Sequence, residues 1–305
     1  MYQIVTWVAC MGGKKTIGRT MTMIITSGLD TPEHHLLRSI RMDGTFAMKL
    51  ALSFVVGSVW ITLVTITAER NGTKVGGFIA GLPSTIVIAL FFIGWSYSTY
   101  AVVEATTVVP IIGGINCLFI VTYIVFLRVN FWLALFCALA VWLILSYGFV
   151  RTGFDNYGLS IGVYVGLVAI SYVIADRVLG VESESGRPMV YTPAILAVRG
   201  LFSGFVIAVA VAMTKAGGPL LGGMFAMFPA VFVATLAITF FSHGPLFSAA
   251  LMKSSILGAV GVVTYGVAVR YTYVPFGLFW GTVVSMAVSF AGSFLIHRFV
   301  AVRMT

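Results

Sequence analysis

Apolar residues run through this chain in long, nearly unbroken stretches, with polar residues gathered in short gaps between them. The stretches fall at 47–68, 76–95, 105–127, 131–150, 158–176, 194–214, 219–241, 247–269 and 274–297. Each has about 20 residues, the length a helix needs to cross the ~30 Å hydrocarbon layer. The pattern predicts an all-α polytopic membrane protein with about nine transmembrane helices. The gaps include Glu69 to Lys74, Arg128 to Asn130, Arg151 to Asn156 and Arg177 to Pro188. None could hold a soluble domain, and such short links force successive spans to pack antiparallel.

Composition sharpens this reading. Of 305 residues, 60% are hydrophobic and 9% charged, against about a quarter charged in a soluble domain. Too few charges are present to cover a soluble fold of this size. This excludes a soluble enzyme, a disordered chain and a nucleic-acid-binding module. The formal charge of +9 lies in connectors and tails, as the positive-inside rule leads one to expect. Residues 1–44 differ from the rest: apolar pieces broken by Lys14, Lys15 and Arg19 lead into a polar stretch from Asp30 to Gly44. A signal peptide would need a continuous apolar core and a small-residue cleavage site, so this segment reads as a poorly ordered tail. Met48-Lys49-Leu50 resembles a natural start. Counted from Met48, Lys and Arg favour a cytoplasmic C-terminus; counted with the tail, the two sides balance.

The chain also repeats itself. Gly76 to Thr85 reads G-G-F-I-A-G-L-P-S-T, and Gly222 to Val231 reads G-G-M-F-A-M-F-P-A-V. The shared skeleton, G-G-x-x-A-x-x-P, follows one long apolar run and opens the next in both places. A polar hairpin follows each copy, Trp95 to Tyr100 and Ser242 to Pro245. The expectation is two four-helix units, 46–150 and 194–298, joined by the span at 158–176. Five crossings separate equivalent points, so the second unit should be inverted relative to the first, a common plan among secondary transporters.

The Gly-rich entry, Ala80 to Thr85, and Val103-Glu104-Ala105-Thr106 resemble the small four-helix inner-membrane proteins of the GlpM type. The resemblance is closer over 46–150 than over 194–298, where Ala230-Val231 replaces Ser84-Thr85 and Glu104 has no acidic counterpart. It implies a multi-pass protein of the inner or plasma membrane and brings no catalytic residues. In outline the doubled form also resembles the duplicated drug/metabolite transporters.

Candidate chemistry centres on the repeated motif. Proline lacks a donor N–H and its ring clashes with the carbonyl four residues back. Gly76, Gly77 and Pro83, and likewise Gly222, Gly223 and Pro229, predict bent or broken second helices with freed backbone carbonyls. Gly/Pro-interrupted spans in matching places of two halves point to a transport site; the plainer alternative is close packing, which Gly77-x-x-x-Gly81 also fits. Ser84 and Thr85 add hydroxyls one turn further in. Glu104 and Lys253 are ionisable groups within or beside spans, where charge is costly. Each has a bland reading, an interfacial Glu104 and a snorkelling Lys253, and across inverted repeats they could instead pair. Asp176 and Arg177 read as an interfacial pair. Trp60, Trp95, Trp132, Trp142 and Trp280 read as interfacial anchors, and Gly162-x-x-x-Gly166 and Gly277-x-x-x-Gly281 as packing motifs.

Cys10, Cys117 and Cys137, with His34, His35, His243 and His297, form no metal-ligand spacing. No metal and no cofactor is expected, and no catalytic constellation is evident. A lipid-modifying enzyme would need Glu104, His243 and Lys253 to converge. The resulting expectation is a permease for a small neutral or hydrophobic solute, its path lined by Gly76, Gly77, Pro83, Ser84, Thr85, Glu104, Gly222, Gly223, Pro229 and Lys253. The alternative is a non-transporting membrane accessory protein. The lipid bilayer, a small-molecule solute and further copies of the chain are the expected partners.

Overall fold

A computed structural model of the chain describes residues 44–70, 83–153, 155–182 and 192–303, with side chains described from 44 to 67 in the first segment and up to 295 in the last. The tail, and the first Gly-Gly at Gly76 and Gly77, lie outside the described residues. All regular structure among them is helical: α1 Gly44–Arg70, α2 Ser84–Ser96, α3 Thr99–Ala105, α4 Val109–Leu127, α5 Phe131–Arg151, α6 Tyr157–Val173, α7 Pro193–Gly217, α8 Pro219–Ala226, α9 Ala230–His243 and α10 Pro245–Arg303. Seven segments are long and apolar enough to span a bilayer. They include α6 with the π-helical turn Ile174–Val178 that continues it, α8 and α9 together, and α10.

α10 is two helices. Gly277 sits at φ 71°, ψ −179°, a conformation open in practice only to glycine. The chain turns back there. Thr272 and Ser285 hydroxyls lie 2.7 Å apart, and Ser289 Oγ donates to the Gly261 carbonyl at 2.7 Å. These bonds tie 278–303 antiparallel along 245–276. Gly277 therefore serves as a chain reversal and not as a packing glycine. Gly218 and Gly244 adopt nearly the same conformation just before Pro219 and Pro245, ending one helix where a proline can begin the next.

Two classes of surface follow from the pattern. α4 is buried nearly all round, and so must be apolar all round. α5 instead turns Trp132, Phe136 and Ile144 outward, each more than two-thirds exposed. Exposed apolar faces of this extent belong against lipid. Together with the seven apolar segments, they make this an integral membrane protein.

α1 and α7 pack closely against each other. A methyl group on Gly204 would strike Ser58 and the Phe54 carbonyl, and one on Gly200 would strike Thr62 and the Ser58 carbonyl. Position rises on one helix as it falls on the other, so the two run antiparallel. Ser58 and Thr62 turn their hydroxyls onto the carbonyls of Phe54 and Ser58 in their own helix, which leaves them free of partners' demands across this close crossing.

Candidate functional site

The second copy of the repeated motif contains a true break. α8 ends at Ala226 and α9 begins at Ala230. Met227 N–H closes the first helix onto the Gly223 and Met224 carbonyls. Ala230 N–H turns tightly onto the Phe228 carbonyl at 2.7 Å. Pro229, at φ −75° and ψ 43°, caps α9. The Met227 carbonyl is taken up by a residue far away in sequence: Asn116 of α4 donates Nδ2 to it at 3.0 Å. An unpaired carbonyl at this depth would cost about 1–3 kcal/mol, so Asn116 is what makes the break tolerable.

The break is held from both sides. Gly223 packs directly on the backbone of Ala105, where α3 ends, and Gly222 packs on Thr214 and the Ala210 carbonyl of α7. The indole of Trp142 meets the Phe228 ring edge-on at 5.0 Å. Trp142 is fully buried, which corrects its reading as an interfacial anchor: an aromatic plate is needed to fill the space beside Phe228.

A second interruption faces the first. The span expected at 105–127 begins earlier, with α3, and is broken at Thr106 to Val108 before α4 starts. Its freed Val103 carbonyl accepts the Thr106 hydroxyl at 2.7 Å and Arg270 Nη1 at 2.9 Å. Arg270 also donates to Thr107 Oγ1 at 3.1 Å, and its guanidinium lies 4.3 Å from the centre of the Tyr157 ring, a cation–π contact.

In the first copy, Pro83 is buried and caps α2 at φ −74°, ψ 45°, almost the geometry of Pro229. Ser84 is half-buried. Thr85 is buried and its hydroxyl has no hydrogen-bond partner among the described residues.

The two ionisable candidates stand apart from this centre and from each other. Glu104 is exposed on α3, beside the Val103 carbonyl that Arg270 binds. Lys253 lies on α10 with Arg270, 17 residues along the helix, a separation of roughly 25 Å at 1.5 Å per residue. Pairing of Glu104 with Lys253 is thereby corrected. Lys253 binds Asp176 at 2.6 Å and also donates to the Val181 carbonyl. This corrects the pairing of Asp176 with its neighbour Arg177: the π-helical turn at 174–178 directs the carboxylate toward α10. Arg128, at the end of α4, donates to the Leu179 carbonyl at 3.2 Å, so two cations grip this turn. Gly162 and Gly166 have no atom of the described residues within 4 Å of where a side chain would start, and so form no packing seam among them.

Sequence reasoning missed Asn116. A search for charges inside spans passes over an amide, yet a lone Asn in an apolar helix carries the same signal of unmet hydrogen bonding. It also missed Tyr164, buried on α6 with its hydroxyl unpartnered.

Comparison with protein-family models gives a match over part of the chain. Residues 50–152 fit the model of a family described as a protein of unknown function, DUF3147. The matched stretch covers about a third of the chain and runs from within α1 to the end of α5. No curated protein and no solved structure matches the chain.

Proposed function

We propose that this protein is a permease of the inner or plasma membrane, built from two inverted four-helix units, 46–150 and 194–298, with 158–176 as the linking span. Its cargo is a small neutral or hydrophobic solute. The broken helix at Met227 to Pro229, with its freed carbonyl held by a buried amide, is the observation that carries the reading. Non-helical backbone at membrane depth is tolerated where it is buried in protein or lines a cavity, and broken helices are where transporters bind their cargo.

Several features support the doubled architecture. The spacing that carries Pro83 onto Pro229 also carries Ser84 onto Ala230, Thr99 onto Pro245 and Phe131 onto Gly277, the first residues of α2 and α9, of α3 and α10, and of α5 and the turn inside α10. The two prolines share one backbone geometry. At the α1–α7 crossing, Phe54 meets Gly204 and Ser58 meets Gly200. Under the same spacing these contacts exchange with each other, as a two-fold relation requires. The match to residues 50–152 ends where the first unit does.

A second reading, an accessory protein without transport, is favoured by one observation: Gly222 and Gly223 are filled against Thr214 and Ala105, as plain packing glycines would be. Thiol accessibility separates the two. Single cysteines at Ser84, Thr85 and Ala230, in a background lacking native cysteines, would be exposed to a membrane-impermeant reagent from either side of the membrane. The permease reading expects labelling at these depths. Absence of labelling from both sides would favour the accessory protein.

A further inference from the structure

Asn116 and Tyr164 offer more hydrogen-bonding capacity than the protein uses. Both are 7% exposed. The Asn116 amide spends one donor on the Met227 carbonyl, and its Oδ1, able to accept two bonds, has no partner among the described residues. The Tyr164 hydroxyl, donor and acceptor at once, has none either. The two residues flank the same stretch of α4. A methyl group built on Gly113 would lie 3.5 Å from Met227 Cε and 3.5 Å from Tyr164 Cε2. Asn116 follows Gly113 by three residues on α4, hence on the same face. Met227 of the helix break and Tyr164 of α6 therefore meet α4 around Gly113, one turn before Asn116. Met227 and Val263 supply apolar contact around Gly113, and none of these groups carries a charge.

We propose that Asn116 and Tyr164 form a binding site for a small uncharged solute bearing N–H or O–H donors, of the size of urea or glycerol. The proposal rests on the permease reading and narrows its cargo. The solute donates to Asn116 Oδ1 and exchanges a hydrogen bond with the Tyr164 hydroxyl, while Asn116 Nδ2 keeps the Met227 carbonyl satisfied. A charged solute would find no counter-charge at this site and would have to shed its hydration without compensation. A solute without donors would leave Oδ1 unmet.

The test uses the full chain in liposomes, with urea and glycerol as probes and stopped-flow shrink–swell kinetics as the readout. Flux of at least one probe is expected about tenfold above protein-free liposomes. Tyr164→Phe should lower that flux about three- to tenfold, the worth of one hydrogen bond, while leaving the thermal midpoint unchanged. Asn116→Leu should abolish it. Because Asn116→Leu also strips the Met227 carbonyl and can impair folding, Tyr164→Phe is the deciding variant. Probe flux that is unaffected by Tyr164→Phe would overturn the site. So would a response of water flux alone, which would make the site one for water. If neither probe passes, the assigned cargo is wrong, and the labelling at Ser84, Thr85 and Ala230 then tells whether the permease reading falls with it.

Discussion

Asn116 joins two parts of the chain, α4 and the α8–α9 break, that are 111 residues apart in sequence. Its role at the residue scale is to satisfy a carbonyl that Pro229 and the tight turn at Phe228 leave without a helical donor. Gly223 does complementary work by omission. A methyl group there would run into the Ala105 backbone, which cannot move aside as a flexible side chain could. Gly223→Ala is expected to destabilise the fold by about 1–3 kcal/mol, the usual cost of overpacking. Gly162→Ala, which meets open space, should be nearly neutral. Thermal unfolding in detergent, followed by loss of monodisperse protein, would compare them. Equal midpoints for the two variants would mean that the α3–α8 contact is not close.

At the element scale, helix interruptions and the groups that neutralise them decide the arrangement. The π-helical turn at the end of α6 is gripped by Lys253 from α10 and Arg128 from α4. Lys253 is only 12% exposed and Asp176 43%, so the pair is neither fully screened nor fully buried. Lys253→Met should lower the thermal midpoint, because it removes both the ion pair and the bond to the Val181 carbonyl. The exchange Lys253→Asp with Asp176→Lys should recover part of that loss, since the Coulomb attraction survives while the bond to the Val181 carbonyl does not. A double-mutant cycle on thermal stability reads this directly, and a coupling energy near zero would remove the pair from the forces holding α6 to α10. Arg270 does similar work toward the other end of the same helix, tying 245–276 to the α3–α4 interruption through Val103 and Thr107.

For the whole molecule, the decisive relation is the antiparallel crossing of α1 and α7. In the proposed doubled architecture α1 and α7 are equivalent helices, and helices of two units that run in opposite directions would place equivalent loops on opposite membrane surfaces. Tyr100 and Leu246, the second residues of α3 and α10, correspond in the proposed doubled architecture, and both are more than two-thirds exposed. Single cysteines at these two positions should be modified from opposite sides of the membrane. Modification of both from one side would contradict the inverted arrangement. The same geometry places Lys49, whose Nζ donates to the Trp95 carbonyl at 2.8 Å, and Lys253, bound to Asp176, toward opposite ends of the bundle.

The sequence by itself determined the membrane class, because burying apolar side chains in lipid leaves a one-dimensional record of about 20 residues per crossing. It also marked where the α8–α9 break falls, since Pro229 removes a donor whatever surrounds it. The Gly-Pro pairs at Gly218-Pro219 and Gly244-Pro245 likewise punctuate the chain by local backbone rules alone. Other features were settled only in three dimensions. Which donor reaches the Met227 carbonyl depends on α4 passing beside the break, and nothing near Met227 in the chain encodes Asn116. Lys253 finds Asp176 and not Glu104 because both choices are far away in sequence, and only the course of α10 separates them. Trp142 looks like an anchor by position and is a core residue by packing. Local backbone chemistry can be read along the chain; the pairing of polar groups across a bundle depends on distances that only the folded helices create.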